Sequence, residues 1–124
     1  ATFGSILTTG PVRTQGQFYG NEGSALTTSG TTLTVDFSTG NVQTVDLEGA
    51  SGNVTLTLSG VNGCTQYSLV IIQGSVARNL IWPANVKWPA GVAPVISVAN
   101  NAVDVVRIVS KNSALYGRFE QAYA

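Results

Sequence analysis

Short segments in which every second residue is apolar constrain the fold of this chain more than any other feature. Residues 31–37 alternate apolar side chains with threonine and aspartate, and residues 54–58 alternate them with threonine alone. Successive side chains of a β-strand point to opposite faces, so this alternation predicts strands with one buried face. No window shows the 3.6-residue period of an amphipathic helix, and the pattern therefore predicts an all-β fold.

Turns rich in Gly, Ser and Asn separate the apolar segments. Residues 38–41 join two of them and predict a β-hairpin. In the final segment, Leu115, Phe119 and Tyr123 are predicted to share one face. The predicted strands are residues 31–37, 42–47, 54–58, 67–73, 95–98, 103–110 and 115–123. Seven or eight short strands spaced in this way predict an antiparallel β-sandwich of jelly-roll type.

The first 30 residues differ from the rest of the chain. They contain many Gly, Thr and Ser residues and show no sustained period, which indicates an extended N-terminal arm (1–30) followed by a β-sandwich domain (31–124). The arm carries isolated apolar side chains that suit burial on another protein: Phe3, Ile6, Leu7, Phe18 and Tyr19. A terminus without a docking role is the alternative.

Two tryptophans and three prolines mark residues 80–94 as unusual. Proline cannot donate to a β-ladder, so this segment is predicted to lie at a sheet edge or in a structured loop. Trp82 and Trp88 have two possible roles: packing anchors that hold the loop over the core, or a stacking platform for a sugar ring. Packing is the favoured interpretation.

The composition excludes several classes of site. The absence of histidine excludes a Ser-His-Asp triad and His-ligated zinc, and the single Cys64 excludes an internal disulfide. Cys64 is expected to be a small buried side chain. Six basic residues balance six acidic ones without a basic cluster, so no nucleic-acid partner is expected. No cofactor motif, membrane-spanning segment or signal peptide is apparent, and neither a cofactor, a metal nor membrane insertion is expected.

Catalysis has one weak candidate. Asp46 and Glu48 lie two residues apart and would share a face of a strand, and a carboxylate pair is the minimum requirement of a glycosidase. Solvated turn carboxylates are the preferred interpretation, and no enzyme activity is expected. Asp104 and Arg107 fall on opposite faces of their strand, so each is expected to meet a neighbouring strand or subunit.

Only 10% of residues are charged, compared with about 25% in an average soluble domain. Burying neutral Thr or Asn in an interface costs less than burying Lys or Glu. The composition therefore favours an assembly subunit, with a homotrimer expected and a stable monomer as the alternative.

Several segments resemble the small all-β modules of tailed-bacteriophage virions: residues 34–47, 53–58, 67–73, 86–91 with Pro94, and 103–106. The resemblance covers roughly residues 31–120. It implies a trimeric virion protein without enzymatic activity. Since no fibre shaft precedes the module, a head decoration (cement) protein or adaptor is expected, with the major capsid protein or another virion protein as its partner. A tail-fibre or head-fibre module that binds a host surface glycan or protein is the alternative.

Overall fold

The computed structural model describes residues 7, 9–11, 15–16, 25–61 and 63–123. This part of the chain contains nine strands and no α-helix. The strands are β1 (Leu26–Thr27), β2 (Thr32–Asp36), β3 (Val42–Asp46), β4 (Val54–Ser59), β5 (Thr65–Ile72), β6 (Leu80–Ile81), β7 (Val86–Lys87), β8 (Val103–Lys111) and β9 (Ala114–Tyr123). Short 3-10 turns occupy Phe37–Thr39 and Pro89–Gly91. β1 lies within residues 1–30, which the sequence assigns to the arm, and it pairs with β3.

The chain alternates between two sheets as it advances from β1 to β6. A six-stranded sheet has the order β1-β3-β5-β8-β9-β7, and a three-stranded sheet has the order β2-β4-β6. A strand in this part of the chain therefore pairs with the strand two places later in the sequence, after one complete turn of the coil. Thr32 of β2 pairs with Thr55 of β4, and Val42 of β3 pairs with Ser68 of β5. Both pairings are parallel, because each coil returns in the same direction.

The prediction of an all-β fold is confirmed, but the antiparallel jelly-roll arrangement is not what the strands form. Among the described strands, only β5–β8 and β8–β9 are antiparallel, whereas the other five pairings are parallel. The stacked coils are closer to a β-solenoid. The predicted hairpin of residues 31–37 and 42–47 is wrong, since β2 and β3 belong to different sheets. The Ser-Thr-Gly-Asn turn suits a corner between sheets as well as a hairpin: Asp36 caps the 3-10 turn that changes sheet.

Both sheets contribute to one hydrophobic core. The inward residues of the three-stranded sheet include Val35, Val54 and Leu56, and they share the core cluster with Leu69 and Ile108 of the six-stranded sheet. The remaining positions of each strand face outward, which reproduces the alternation seen in the sequence. The core therefore fills the space between the sheets and leaves the outer face of each sheet without a covering strand among the described residues.

The β8–β9 hairpin lies between β5 and β7 in the six-stranded sheet and contains a β-bulge. Val105 pairs with Glu120, yet Val103 pairs with Tyr123, so two residues of β9 lie opposite Asp104. The bulge reverses the orientation of the last residues of β9. The prediction that Tyr123 shares a face with Leu115 and Phe119 is therefore wrong: Tyr123 is exposed, whereas Leu115 is buried.

The prediction of a strand at residues 95–98 is also wrong. This segment forms no strand and has no ladder partner among the described residues. Side chains take the place of a ladder, since Asp104 and Gln73 bind the backbone of Ser97 and Gln121 binds the carbonyl of Val95. By contrast, β6 and β7 lie at sheet edges, as the prolines around them predict.

Candidate association surface

The outer face of the six-stranded sheet carries an apolar stripe, named here the valine face. Val70 of β5 pairs directly with Val105 of β8, and Ile72 pairs with Val103 in the next outward row. All four side chains are half-buried, although they point away from the core. The same outer face exposes four further apolar side chains: Val42, Val109, Tyr116 and Tyr123. The row of Ser68, Arg107 and Arg118 separates Val109 and Tyr116 from the central four side chains.

Charged side chains flank the valine face on several strands. Arg107 and Arg118 face each other across β8 and β9, while Glu120 and Asp46 lie in the neighbouring outward rows. Arg107 forms an ion pair of 3.0 Å with Glu120. The hydroxyl of Tyr123 donates to Glu120, and this bond together with Arg107 holds the pKa of Glu120 below its usual value.

Lys87 lies opposite Tyr116 with its ammonium 5.8 Å from the ring centre, and Lys111 is exposed beside Val109. Among the described residues, the face thus carries four positive and two negative groups.

The outer face of the three-stranded sheet has a different composition. Thr32 and Thr34 of β2 lie directly opposite Thr55 and Thr57 of β4, and all four positions are exposed. This threonine face also carries the exposed side chain of Ile81 opposite Thr55, and only Asp36 as a charge within the paired rows. The two sheets therefore present chemically distinct outer surfaces.

The structure places Trp82 and Trp88 together against the core. Their rings meet edge-on with centroids 5.1 Å apart, and both side chains are partly buried. The indole N–H of Trp82 donates to the carbonyl of Pro94 at 2.8 Å. Gly117 lies beneath Trp88, where an added Cβ would overlap the six-membered ring. This geometry favours the packing role over a sugar-stacking platform, which needs open ring faces.

The carboxylates of Asp46 and Glu48 are held apart by separate backbone contacts. Asp46 accepts a bond of 2.9 Å from the backbone N–H of Glu48. Glu48 accepts from the N–H of Ser75 at 2.5 Å and from its hydroxyl at 2.7 Å, and these bonds lower the pKa of Glu48. Glu48 therefore joins two loops, whereas Asp46 stabilises the turn that follows its own strand. This arrangement favours the interpretation as turn carboxylates.

Asp104 and Arg107 meet partners outside their own strand, as the sequence predicts. Asp104 is buried, and its carboxylate accepts three bonds, from the N–H of Ser97 at 2.6 Å, from the Ser97 hydroxyl and from the N–H of Ala122. The Asp104 carboxylate therefore holds both the bulge in β9 and the segment 95–98 in place. Arg107 pairs with Glu120 on the neighbouring strand.

Two buried glutamines were missed by sequence analysis. Gln43 donates to the carbonyl of Gly40 at 2.9 Å and to the Thr39 hydroxyl at 3.0 Å, which secures the first corner between sheets. Both the nitrogen and the oxygen of the Gln73 side-chain amide form hydrogen bonds. Its Nε2 donates to the carbonyls of Arg78 and Ser97, and its Oε1 accepts from the N–H groups of Gly74 and Arg78. A glutamine inside or directly after an apolar strand is the only signal for this role in the sequence.

The predicted burial of Cys64 is wrong. The thiol is exposed at the turn before β5 and lines a shallow depression with Val109 and Lys111. The Val-Asn-Gly-Cys turn lies outside the alternating pattern, so no core position is available to this side chain. In the described part of the chain, no three acidic or Cys side chains come close enough to hold a metal ion.

Four of the five apolar arm residues, Phe3, Ile6, Phe18 and Tyr19, lie outside the described residues. The fifth, Leu7, is 96% exposed. No helix in the described ranges is long and apolar enough to cross a membrane.

Comparisons with known protein families, with curated proteins and with solved structures find no match to this chain in any of the three searches.

Proposed function

We propose that this chain is a non-enzymatic structural protein of a bacteriophage virion, a homotrimeric decoration (cement) or adaptor subunit anchored by its N-terminal arm. The observation that carries the proposal is that uncharged side chains occupy the centres of both outer sheet faces. Valine and isoleucine side chains line the centre of one face and threonine side chains the centre of the other, while six charges, four of them positive, lie beside the valine stripe. Such surfaces enter an interface at low desolvation cost.

The use of the acidic side chains supports a structural role. Glu48 and Asp104 bind backbone groups of distant loops, and Asp36 caps a corner between the sheets. Carboxylates that hold the architecture together are poorly placed for proton transfer to a substrate, because their lone pairs are already engaged. Stacked coils held in this way form a stable scaffold, which is what a particle-surface subunit requires.

Binding of a host glycan or protein is the alternative function. It depends on Trp82 and Trp88 being available to a ligand. Their edge-on contact, the bond from Trp82 to Pro94 and the packing of Trp88 on Gly117 all support the decoration role instead.

Removal of the arm tests the docking part of the proposal. A chain lacking residues 1–20 is expected to fold and to be absent from purified virions, since each buried aliphatic or aromatic side chain contributes about 1.5 to 3 kcal/mol before ordering costs. Incorporation is measured by quantitative mass spectrometry of virions from cells that produce the variant.

A full-length variant shows whether the apolar side chains of the arm, and not simply the length of the arm, are required for incorporation. Serine at Phe3, Ile6, Leu7, Phe18 and Tyr19 is expected to abolish incorporation equally, while the circular dichroism spectrum stays that of the wild type. Normal incorporation of either variant contradicts docking through the arm.

A further inference from the structure

We infer that one half of the valine face, named here the basic half, binds an acidic segment of a different protein. The basic half consists of the outward side chains of Lys87, Arg107, Val109, Lys111, Tyr116 and Arg118. The inference goes beyond the proposed function, because neither docking of the arm nor formation of a trimer requires this contact.

The charges of the valine face are separated along its strands. The register places Arg118 opposite Arg107 and, in the next outward row, Lys87 opposite Tyr116. Lys111 lies further along the same side of β8. Both carboxylates of the face lie in the rows on the opposite side of the arginine row. Four of the five Lys and Arg residues that the structure describes therefore share one half of the face, without a carboxylate among its described residues.

The pairing of Arg107 with Arg118 places two like charges directly opposite each other, an arrangement that destabilises a pair of strands. Glu120 forms an ion pair of 3.0 Å with Arg107. The other three cations, Arg118, Lys87 and Lys111, form no ion pair with a residue that the structure describes. An acidic partner supplies the missing negative charge and offsets the repulsion between the arginines.

A second copy of this chain is poorly equipped to supply that charge. Four of its described acids accept hydrogen bonds from backbone groups, and the fifth forms the ion pair with Arg107: Asp36, Asp46, Glu48, Asp104 and Glu120. No three of these acids lie close enough together to hold a metal ion, so they form no acidic cluster. The remaining acid, Glu22, lies outside the described residues, and one carboxylate does not match three cations.

Apolar side chains between the cations favour a protein segment over an anionic polymer. Val109 is 46% exposed and Tyr116 is 47% exposed, and both lie between Lys111 and the arginine row. Contact with them requires apolar groups beside the carboxylates, as in a segment that mixes Asp or Glu with Leu or Val. The ammonium of Lys87 lies 5.8 Å from the centre of the Tyr116 ring, so this ring face is not open for stacking on a sugar or a nucleotide base.

The dimensions of the basic half suit a short segment. The three strands β8, β9 and β7 span about 10 Å, and the distance along β8 from Arg107 to Lys111 is about 13 Å. This area accommodates a few carboxylates. A longer polyanion would meet Glu120 and Asp46 in the neighbouring rows, where like charges repel it.

Titration with a designed peptide tests the assignment. The probe is a short soluble peptide of glutamate, leucine and glycine, and its control has glutamine in place of every glutamate. The full-length protein is expected to bind the acidic peptide and not the control at physiological ionic strength. The largest amide shifts in two-dimensional NMR spectra are expected at Tyr116 and Arg118. Arg118→Gln is expected to weaken binding by about threefold or more.

Thr55→Glu is the matched control, because it lowers the net charge by the same amount on the exposed face of the other sheet. It is expected to bind the peptide as the wild type does. Thermal unfolding provides a second readout. Arg118→Gln is expected to keep or raise the melting temperature, since it removes a like-charge contact, whereas a structural role of Arg118 would lower it. Lys87→Gln is measured in place of Arg118→Gln if circular dichroism shows that the latter does not fold.

Three results overturn the inference: no binding of the acidic peptide to the wild type, equal weakening in Thr55→Glu, or a lower melting temperature for Arg118→Gln. Tighter binding of heparin or single-stranded DNA than of the peptide, compared per negative charge, overturns the assignment to a protein partner. These results leave the mass of the trimer and incorporation through the arm unchanged, so the proposed function is tested separately.

Discussion

Trp88→Ala is expected to reduce the free energy of unfolding by about 3 to 5 kcal/mol, the usual range for removing a large packed aromatic side chain. The ring of Trp88 contacts Trp82 edge-on and covers Gly117 of β9. Its loss leaves a cavity that neither neighbour fills, because Gly117 has no side chain and Trp82 is held by Pro94. The melting temperature, compared at one subunit concentration, is expected to fall by at least about 10 °C.

Trp88→Phe is the control for this prediction. It retains an aromatic ring over Gly117 and is expected to lose about half as much stability. An unchanged melting curve for Trp88→Ala, with loss of adsorption to host cells, would contradict both the packing role and the preference for decoration over receptor binding.

Gln73→Leu is the second substitution with a large expected effect, again about 3 to 5 kcal/mol. Leucine fills a similar volume but leaves two N–H groups and two carbonyls without their partner. Each unsatisfied buried polar group costs about 1 to 3 kcal/mol, and part of this cost is recovered where water reaches the loops. Chemical denaturation measures the loss.

Gln73→Glu distinguishes the two halves of this network. The carboxylate still accepts from Gly74 and Arg78 but cannot donate to the carbonyls of Arg78 and Ser97. The second carboxylate oxygen faces the carbonyl oxygens of Arg78 and Ser97 in a buried site, so the stability of Gln73→Glu at neutral pH is expected to be no higher than that of Gln73→Leu. Equal stability of all three proteins would show that the loops are held by other contacts.

Strand positions were predictable from the sequence, whereas their partners were not. Alternation locates β2, β3 and β4 to within one or two residues, because burial of one face is a local property of a strand. It carries no information on whether the next strand pairs with the previous one or crosses to the opposite sheet. The turn at residues 38–41 illustrates the point, since its residues suit a hairpin and also the corner that Asp36 and Gln43 hold.

The features of the candidate surface were predictable only in part. The low charge content predicts self-association in general terms. The valine face depends on the register between β5 and β8, and the orientation of Tyr123 depends on a bulge secured by Asp104, neither of which leaves a local pattern. Gln73 was missed because a single polar residue at the end of an apolar strand normally marks the start of a turn.

The mass of the wild-type chain in solution tests the central claim most directly. Native mass spectrometry at micromolar concentration is expected to give about 38 kDa, three times the chain mass of 12.8 kDa. A single species of 12.8 kDa would contradict the account of this protein as a trimeric structural subunit.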